Sequence, residues 1–249
     1  MVFQFLVFKI FIIILGIGLF FWALISFRKK RLIENIPTSK IRSIAMGLVE
    51  IFGEVVPSID NILKSPFTQK DCVYYNYKID ELRSTGKSAH WVTIKKGWNY
   101  VYFYLKDDTG KVLVDPLDAK IDIATDNVFK SSLGKDPSDT VKQFLQRENV
   151  NFEGSLFKIN KTMRYTECFI QPKDKLYIMG TAADNPFVKD SSVIDGIEDI
   201  IIKKGKHDKF YYISDKNEKM ILKHLNRIVI CGFLFGSLLI ILGLVLFYI

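Results

Sequence analysis

The chain has 249 residues, 49% of them apolar, and a formal net charge of +8 at pH 7. That length leaves room for more than one small domain, and strong apolarity together with strong basicity does not describe one ordinary soluble surface. Residues 28–42 hold six basic side chains and one acidic, residues 203–227 hold eight and three, and Lys9 adds one, so the centre, 43–202, keeps 20 basic against 23 acidic residues. The positive excess therefore flanks the centre, which argues against nucleic acid as a partner, since a phosphate-tracking face needs cations on the folded surface.

In chain order, the first element is the uncharged run 10–27 (IFIIILGIGLFFWALISF), long enough to span a bilayer when Val2–Phe8 are added or Lys9 snorkels to the interface. A cleaved signal peptide is the competing reading. The positive charges follow the apolar core instead of preceding it, and no small-residue cleavage site comes before Arg28, Lys29, Lys30 and Arg31, so an uncleaved anchor over 1–27 is expected. Residues 28–42, with Pro37, read as a basic juxtamembrane connector. From Ser43 to Ser214 the chain reads mainly as strands: 43–56, 72–80, 90–94, 98–106, 111–114, 163–171, 176–181, 198–203 and 210–214 alternate apolar with polar residues and are rich in β-branched and aromatic side chains. Asp107-Asp108-Thr109-Gly110 supplies hairpin chemistry between two of them. Residues 137–147 carry Val141, Phe144 and Leu145 at helical spacing, predicting one amphipathic surface helix.

At the other end, Asp215 with Glu218 three residues on predicts a capped helix that runs from about Lys216 without Pro or Gly into the uncharged stretch 228–249. The expected fold is thus a mainly β (α+β) soluble domain over 43–214, a small barrel or sandwich with one or two short helices, between membrane helices at 1–27 and 215–249. Gly232 and Gly236 have the small-xxx-small spacing that lets helix backbones approach, either against the first span, with its Gly16 and Gly18, or against another copy of the chain in a homo-oligomer. Both spans carry their basic residues on the side of the central domain, which predicts that domain on the cytoplasmic side and both termini across the membrane. On that topology the sequon Asn160-Lys161-Thr162 never meets a glycosylation enzyme.

Little in the centre points to chemistry. Gly86-Lys87-Ser88 resembles the tail of a phosphate-binding loop, but Glu81 stands where that loop needs its first glycine, and a carboxylate there would repel phosphate. The cysteines are Cys72, Cys168 and Cys231, with His90, His207 and His224 far apart in sequence, which argues against a disulfide framework or a metal site; with no Gly-rich dinucleotide fingerprint either, no cofactor is expected. Cys72 and Cys168 lie in apolar strand-like runs, where a free cysteine acts as a small core residue in preference to a nucleophile. The acids Asp107-Asp108 read as a turn, and Asp195 with Glu198 and Asp199 is the other acidic pairing. The clustered aromatics Trp91, Trp98, Tyr100, Tyr102, Phe103 and Tyr104 fit cross-strand packing of a β core best. A face for an extended peptide or single strand, or a headgroup-level position for Trp91 and Trp98, are the alternatives.

The order GLVEIFGEVVP (47–57), SPFTQKDCVYYNYKIDEL (65–82), DDTGKVLVDPLDAKI (107–121), YTECFIQPKDKLYIMGTA (165–182) and FYYISDKNEKMIL (210–222), bracketed by two spans, resembles the GIDE-type or "beside a membrane" domain. That domain is found in double-spanning RING-type ubiquitin ligases of the mitochondrial outer membrane and chloroplast envelope and in prokaryotic membrane proteins. The T-G-x-x-L-V-D-P segment and the later L-Y-x-x-G strand carry the resemblance most specifically. The ligases have a RING after the second span, whereas this chain stops at Ile249 within it, so the resemblance implies the membrane-side β domain and no catalytic residue. Together with the charge bias it implies a prokaryotic cell membrane in preference to a mitochondrial outer membrane. The expected function is a membrane-anchored binding or scaffolding module, non-catalytic on its own, for an unidentified protein partner. The alternatives are a RING-less component of a ligase-like, stress-response system and, further off, a membrane-bound hydrolase using Cys72 or Cys168. Arg28, Lys29, Lys30, Arg31, Lys203, Lys204, Lys206 and Lys209 are the residues expected to meet the headgroups of the lipid bilayer and fix topology.

Overall fold

The computed structural model describes residues 2–58, 62–86, 88–152, 161–187, 199–206 and 210–248. Its helices are α1 (Val2–Asn35), α2 (Asp139–Arg147) and α3 (Glu218–Tyr248), with a short 3-10 turn at Ile41–Ser43. The strands are β1 (Gly47–Pro57), β2 (Leu63–Lys64), β3 (Asp71–Cys72), β4 (Tyr74–Thr85), β5 (Ser88–Tyr100), β6 (Phe103–Lys106) and β7 (Lys111–Val114), followed by β8 (Lys120–Asp122), β9 (Asn127–Ser131), β10 (Met163–Ile170), β11 (Lys175–Asp184), β12 (Ile200–Lys203) and β13 (Tyr212–Ser214). They fall into two compact units, Met1–Pro37 with Lys216–Ile249, and Thr38–Asp215.

In the first unit α1 packs on α3, and both are long and apolar enough to cross a membrane. Small residues lie inside, with Ala23 and Ser26 of α1 and Gly232, Gly236 and Gly243 of α3 buried. Large apolar side chains face outward: Phe11, Ile14 and Phe21 on α1 and Leu234, Phe235 and Ile241 on α3 are each more than half exposed. Water selects the opposite distribution in a helix pair, apolar inside and polar outside. The basic connector expected from residue 28 is helical as far as Asn35. Nothing between Arg28 and Asn35 breaks the hydrogen-bond ladder, and Pro37, which disfavours helical backbone at the residue before it, is the first residue that does. The start of α3 also differs from expectation. Asn217, not Asp215, caps it, its Oδ1 accepting from the Met220 N–H at 2.9 Å, while the Asp215 carboxylate accepts the Ala124 N–H at 2.8 Å within the β unit.

The second unit is built on a closed ring of five strands. β1 pairs antiparallel with β11 through Gly47–Glu54 and with β6 through Glu54–Pro57. β6 and β7 form the expected hairpin across Asp107–Gly110, β7 lies parallel to β12, and β12 returns antiparallel to β11. The barrel alternative is therefore the one adopted. Closure requires a glycine at the seam: a Cβ on Gly53 would lie 2.5 Å from the Lys106 carbonyl oxygen, next to the residue where β1 changes partner. Inward side chains including Ile51, Val55, Phe103, Leu105, Leu176 and Ile178 fill the ring and are essentially inaccessible. β13 and then β8 extend the sheet beyond β11.

A second sheet runs in the order β5-β4-β10-β9. One face is backed by α2, whose Val141, Phe144 and Leu145 pack with Phe67, Tyr77, Ile79, Met163 and Tyr165 around edge-on ring contacts, Tyr77 to Phe144 at 4.9 Å and Phe67 to Phe144 at 5.3 Å. Strand β10 shows the alternation that sequence periodicity predicts, every second residue buried from Met163 to Phe169. The segments read as separate strands at 90–94 and 98–106 are instead one strand, β5, and its successor β6. Gly97 does not interrupt β5: it makes room for the Tyr77 ring, which a Cβ there would meet at 2.7 Å.

Candidate functional site

The basic and glycine residues singled out by sequence belong to different units. In the helix pair Arg28, Lys29 and Arg31 are exposed on the last turns of α1. Arg31 lies over the Phe27 ring at 5.4 Å, and Lys30 donates to Asn226 Oδ1 of α3 at 3.0 Å and pairs with Glu34 at 3.5 Å. Gly232 and Gly236 face α1 of the same chain. A Cβ on Gly232 would stand 2.7 Å from the Ala23 Cβ, and one on Gly236 3.0 Å from the Phe20 amide nitrogen and 3.1 Å from the Gly16 carbonyl oxygen. The backbones approach as small-xxx-small packing allows, with Phe233 seated edge-on against Phe20 at 5.0 Å. Gly18 takes no part, having no atom within 4 Å of its Cβ position. In the β unit Lys203 ends β12, half-buried, and exposed Lys204 pairs with Asp118 at 3.4 Å, while Lys206 is exposed. Lys209 lies outside the described residues, as do His207, Lys87, Asn160 and the acids Asp195 and Glu198.

The β unit holds polar centres that sequence did not bring out. Glu167, fully buried on β10, accepts from the Phe67 N–H at 3.0 Å, the Thr68 hydroxyl at 2.6 Å and the Asn127 side chain at 3.2 Å, and so fastens the Ser65–Lys70 loop to the second sheet. Glu50, fully buried on β1, accepts from Tyr177 Oη and from the Thr38 hydroxyl, each at 2.6 Å. Asp80 on β4 is 1% exposed and takes both Arg164 Nε at 3.0 Å and Nη2 at 2.7 Å on one oxygen and the Thr93 hydroxyl at 2.8 Å on the other. Burial pushes its carboxyl up, but the hydrogen bonds from Arg164 and Thr93 and the charge of Lys78 outweigh it and hold Asp80 below the ordinary carboxylate range. The signal available in sequence was a carboxylate at an inward position of an alternating strand, Glu167 among Met163, Tyr165 and Phe169.

The Asp107-Asp108 pair is the turn that sequence suggested, and it also ties down the chain before β1. Asp107 Oδ1 accepts from the Thr109 and Gly110 amides, its Oδ2 accepts from the Ile41 N–H at 3.0 Å, and Lys40 pairs with Asp108 at 2.5 Å. Cys72 is buried beside Leu63 O, and burial, with the charges of Glu167 and Asp71, pushes its thiol up to about 12. Burial raises Cys168 as well, against a hydrogen bond with Thr125. A cavity of about 320 Å³ has Asp126, Asp174 and Asp215 on its wall, and each accepts a backbone N–H, from Phe169, Gln171 and Ala124 respectively. Among the described residues no three His, Cys, Asp or Glu side chains are grouped as metal ligands would be. Of the clustered aromatics, Phe103 fills the barrel as expected, whereas Trp98 is 59% exposed and stacks on Tyr100 at 5.7 Å.

A closed β barrel with a helix-backed sheet, carried in one chain with two helices long and apolar enough to cross a membrane, defines a class of β-domain protein with terminal apolar helices. Within that class the chain belongs to the GIDE family, whose model, described as an E3 ubiquitin ligase, matches residues 73–247, from the start of β4 to the end of α3. No curated protein and no solved structure matches the chain.

Proposed function

We propose that the chain is a two-span membrane protein that presents its β unit at a bilayer surface as a binding or scaffolding module without chemistry of its own. The observation that carries this reading is the outward display of large apolar side chains from Leu6 to Ile25 of α1 and from Ile230 to Tyr248 of α3 around a small-residue seam, a distribution that suits lipid as the solvent. The cations Arg28, Lys29, Lys30 and Arg31 on α1 and Lys203, Lys204 and Lys206 at the end of β12 support a domain on the cytoplasmic side, held by anionic headgroups at about 1 kcal/mol per well-placed cation. The raised thiols of Cys72 and Cys168 favour a binding module over a cysteine hydrolase, because the thiolate is the nucleophile. Impermeant thiol labelling of single cysteines at Asp139 and Lys206, both exposed, in intact cells tests the sidedness: these positions stay unlabelled until the membrane is opened. Labelling from outside overturns it.

The family's description favours a second reading, a component of a ligase-like protein-modifying system, for which we propose a partner chain that carries a RING. Affinity capture from native membranes separates the two, since a stoichiometric zinc-binding partner supports the second and its absence the first.

A further inference from the structure

One face of the β5-β4-β10-β9 sheet is covered by α2; the other is open among the described residues, and strand register fixes what it presents. Asn76 stands opposite Trp98, Lys78 opposite both Lys96 and Thr166, Thr166 opposite Val128, and Asp80 opposite Thr93 and Arg164, which in turn faces Lys130. Directly opposed residues share a face, so Trp98, Lys96, Lys78, Arg164 and Lys130 lie on one side of the sheet. Strict alternation would turn Trp91, seven residues before Trp98, to the other side. A bulge in β5, where Lys95 pairs with Ile79 but Thr93 with Asp80, inserts one residue and returns Trp91 to the same face. There it lies under the Arg164 guanidinium at 4.6 Å. Lys78, Lys96, Val128, Lys130 and Trp98 are all exposed. Asp80 is the single carboxylate in these rows and is occupied by Arg164, Lys78 and Thr93.

We infer that this open face is a docking surface for anionic lipid headgroups. Its cations are spread across four strands, over about 14 Å at the usual strand spacing, instead of along one edge, which suits a plane of phosphates better than one extended chain. Tryptophan beside lysine is the composition of protein surfaces that sit at headgroup level, where an amphipathic ring and a snorkelling cation are both accommodated. The domain as a whole is acidic, 23 carboxylates against 20 cations over 43–202 with the cations of this face included, so a long polyanion that ran beyond the face would be repelled. A bilayer need not diffuse to it. The inference rests on the two-span reading proposed above, in which the chain's own helices keep headgroups at high effective concentration, so that a few cations suffice.

The test uses the full-length chain with Trp22→Phe, which leaves Trp91 and Trp98 as the only tryptophans, reconstituted into vesicles of phosphatidylcholine alone or mixed with phosphatidylserine. Carbonate-resistant flotation reports insertion, and quenching of tryptophan fluorescence by headgroup-spin-labelled lipid reports docking. Quenching is expected in the anionic vesicles, is weak in the neutral ones, and is lost in Lys78→Glu/Lys96→Glu/Lys130→Glu, with each lysine worth about fivefold in the docked-to-undocked ratio. The triple glutamine variant, with the same thermal transition as the parent, gives an intermediate loss. Flotation without quenching overturns the docking surface and leaves the anchor standing. In that case a fluorescence change on adding single-stranded oligonucleotide or polyglutamate would assign the face to a soluble polyanion instead. Equal quenching in both vesicle types, or retention in the glutamate variant, overturns it too. Failure to float removes the anchor and this inference with it.

Discussion

The helix pair and the β unit dispose of the same side-chain types in opposite ways. In the helix pair glycine, alanine and serine are inside and phenylalanine, leucine and isoleucine are outside; in the β unit phenylalanine, tyrosine and isoleucine are inside, and the buried carboxylates Glu50, Asp80 and Glu167 are each held by several donors. On the two-span reading proposed above, the contrast follows from the solvent each unit is built for. Where burying apolar area gains nothing, helices associate by close backbone approach; where water drives collapse, each buried polar group needs its partners.

Substitutions in the two units break this contrast in different ways. The largest effect is expected from Phe103→Ala at the barrel centre, a loss of about 3–5 kcal/mol in denaturant unfolding of the β unit, read by near-UV circular dichroism, with the helical signal of α1 and α3 retained. If both signals fall together, the two units do not unfold separately. A smaller effect, about 1–3 kcal/mol, is expected of Gly236→Leu, which forces a side chain into the Phe20 backbone. Cross-linking between cysteines placed on α1 and α3 should drop while the β-unit transition stays where it was. The smallest is a pH effect. Because the folded Asp80 carboxyl titrates below its ordinary range, its contribution to stability is complete above about pH 4, the unfolded value, and is lost as pH falls through the lower folded value. Asp80→Asn should therefore flatten the acid limb of the stability profile of the β unit and leave its neutral limb with the same slope.

How much of this was legible depended on the range of the interaction. Periodicity identified the apolar helices, most strands and α2, and the Asp107–Gly110 turn chemistry identified the β6-β7 hairpin, because each is decided by neighbours a few residues apart. Barrel closure was not legible. It rests on β1 meeting β11 and β6, on the parallel pairs β7-β12 and β13-β8, and on Gly53 at the seam, and alternation says that a segment is a strand without saying which strand it joins. The open face was hidden for a narrower reason. One bulged residue near Ile94 reverses the parity between Trp91 and Trp98, so counting by two places them on opposite faces when register places them on one. The cap of α3 went to Asn217 because Asp215 is engaged by Ala124 in the β unit, a partner 91 residues away. Glu167 looked like any charged strand residue until the Phe67 and Thr68 loop, brought from about 100 residues away, supplied its donors.

The account turns on lipid as the solvent of α1 and α3 and water as the solvent of the β unit. Spin labels at Ile14, Leu234 and Asp139 of the reconstituted full-length chain, the last exposed at the start of α2 and away from the docking face, test this most directly, through their relative accessibility to molecular oxygen, which partitions into lipid, and to a water-soluble nickel chelate. Labels at Ile14 and Leu234 should be relaxed by oxygen and shielded from nickel, with the reverse at Asp139; free access of nickel to Ile14 and Leu234 would contradict it.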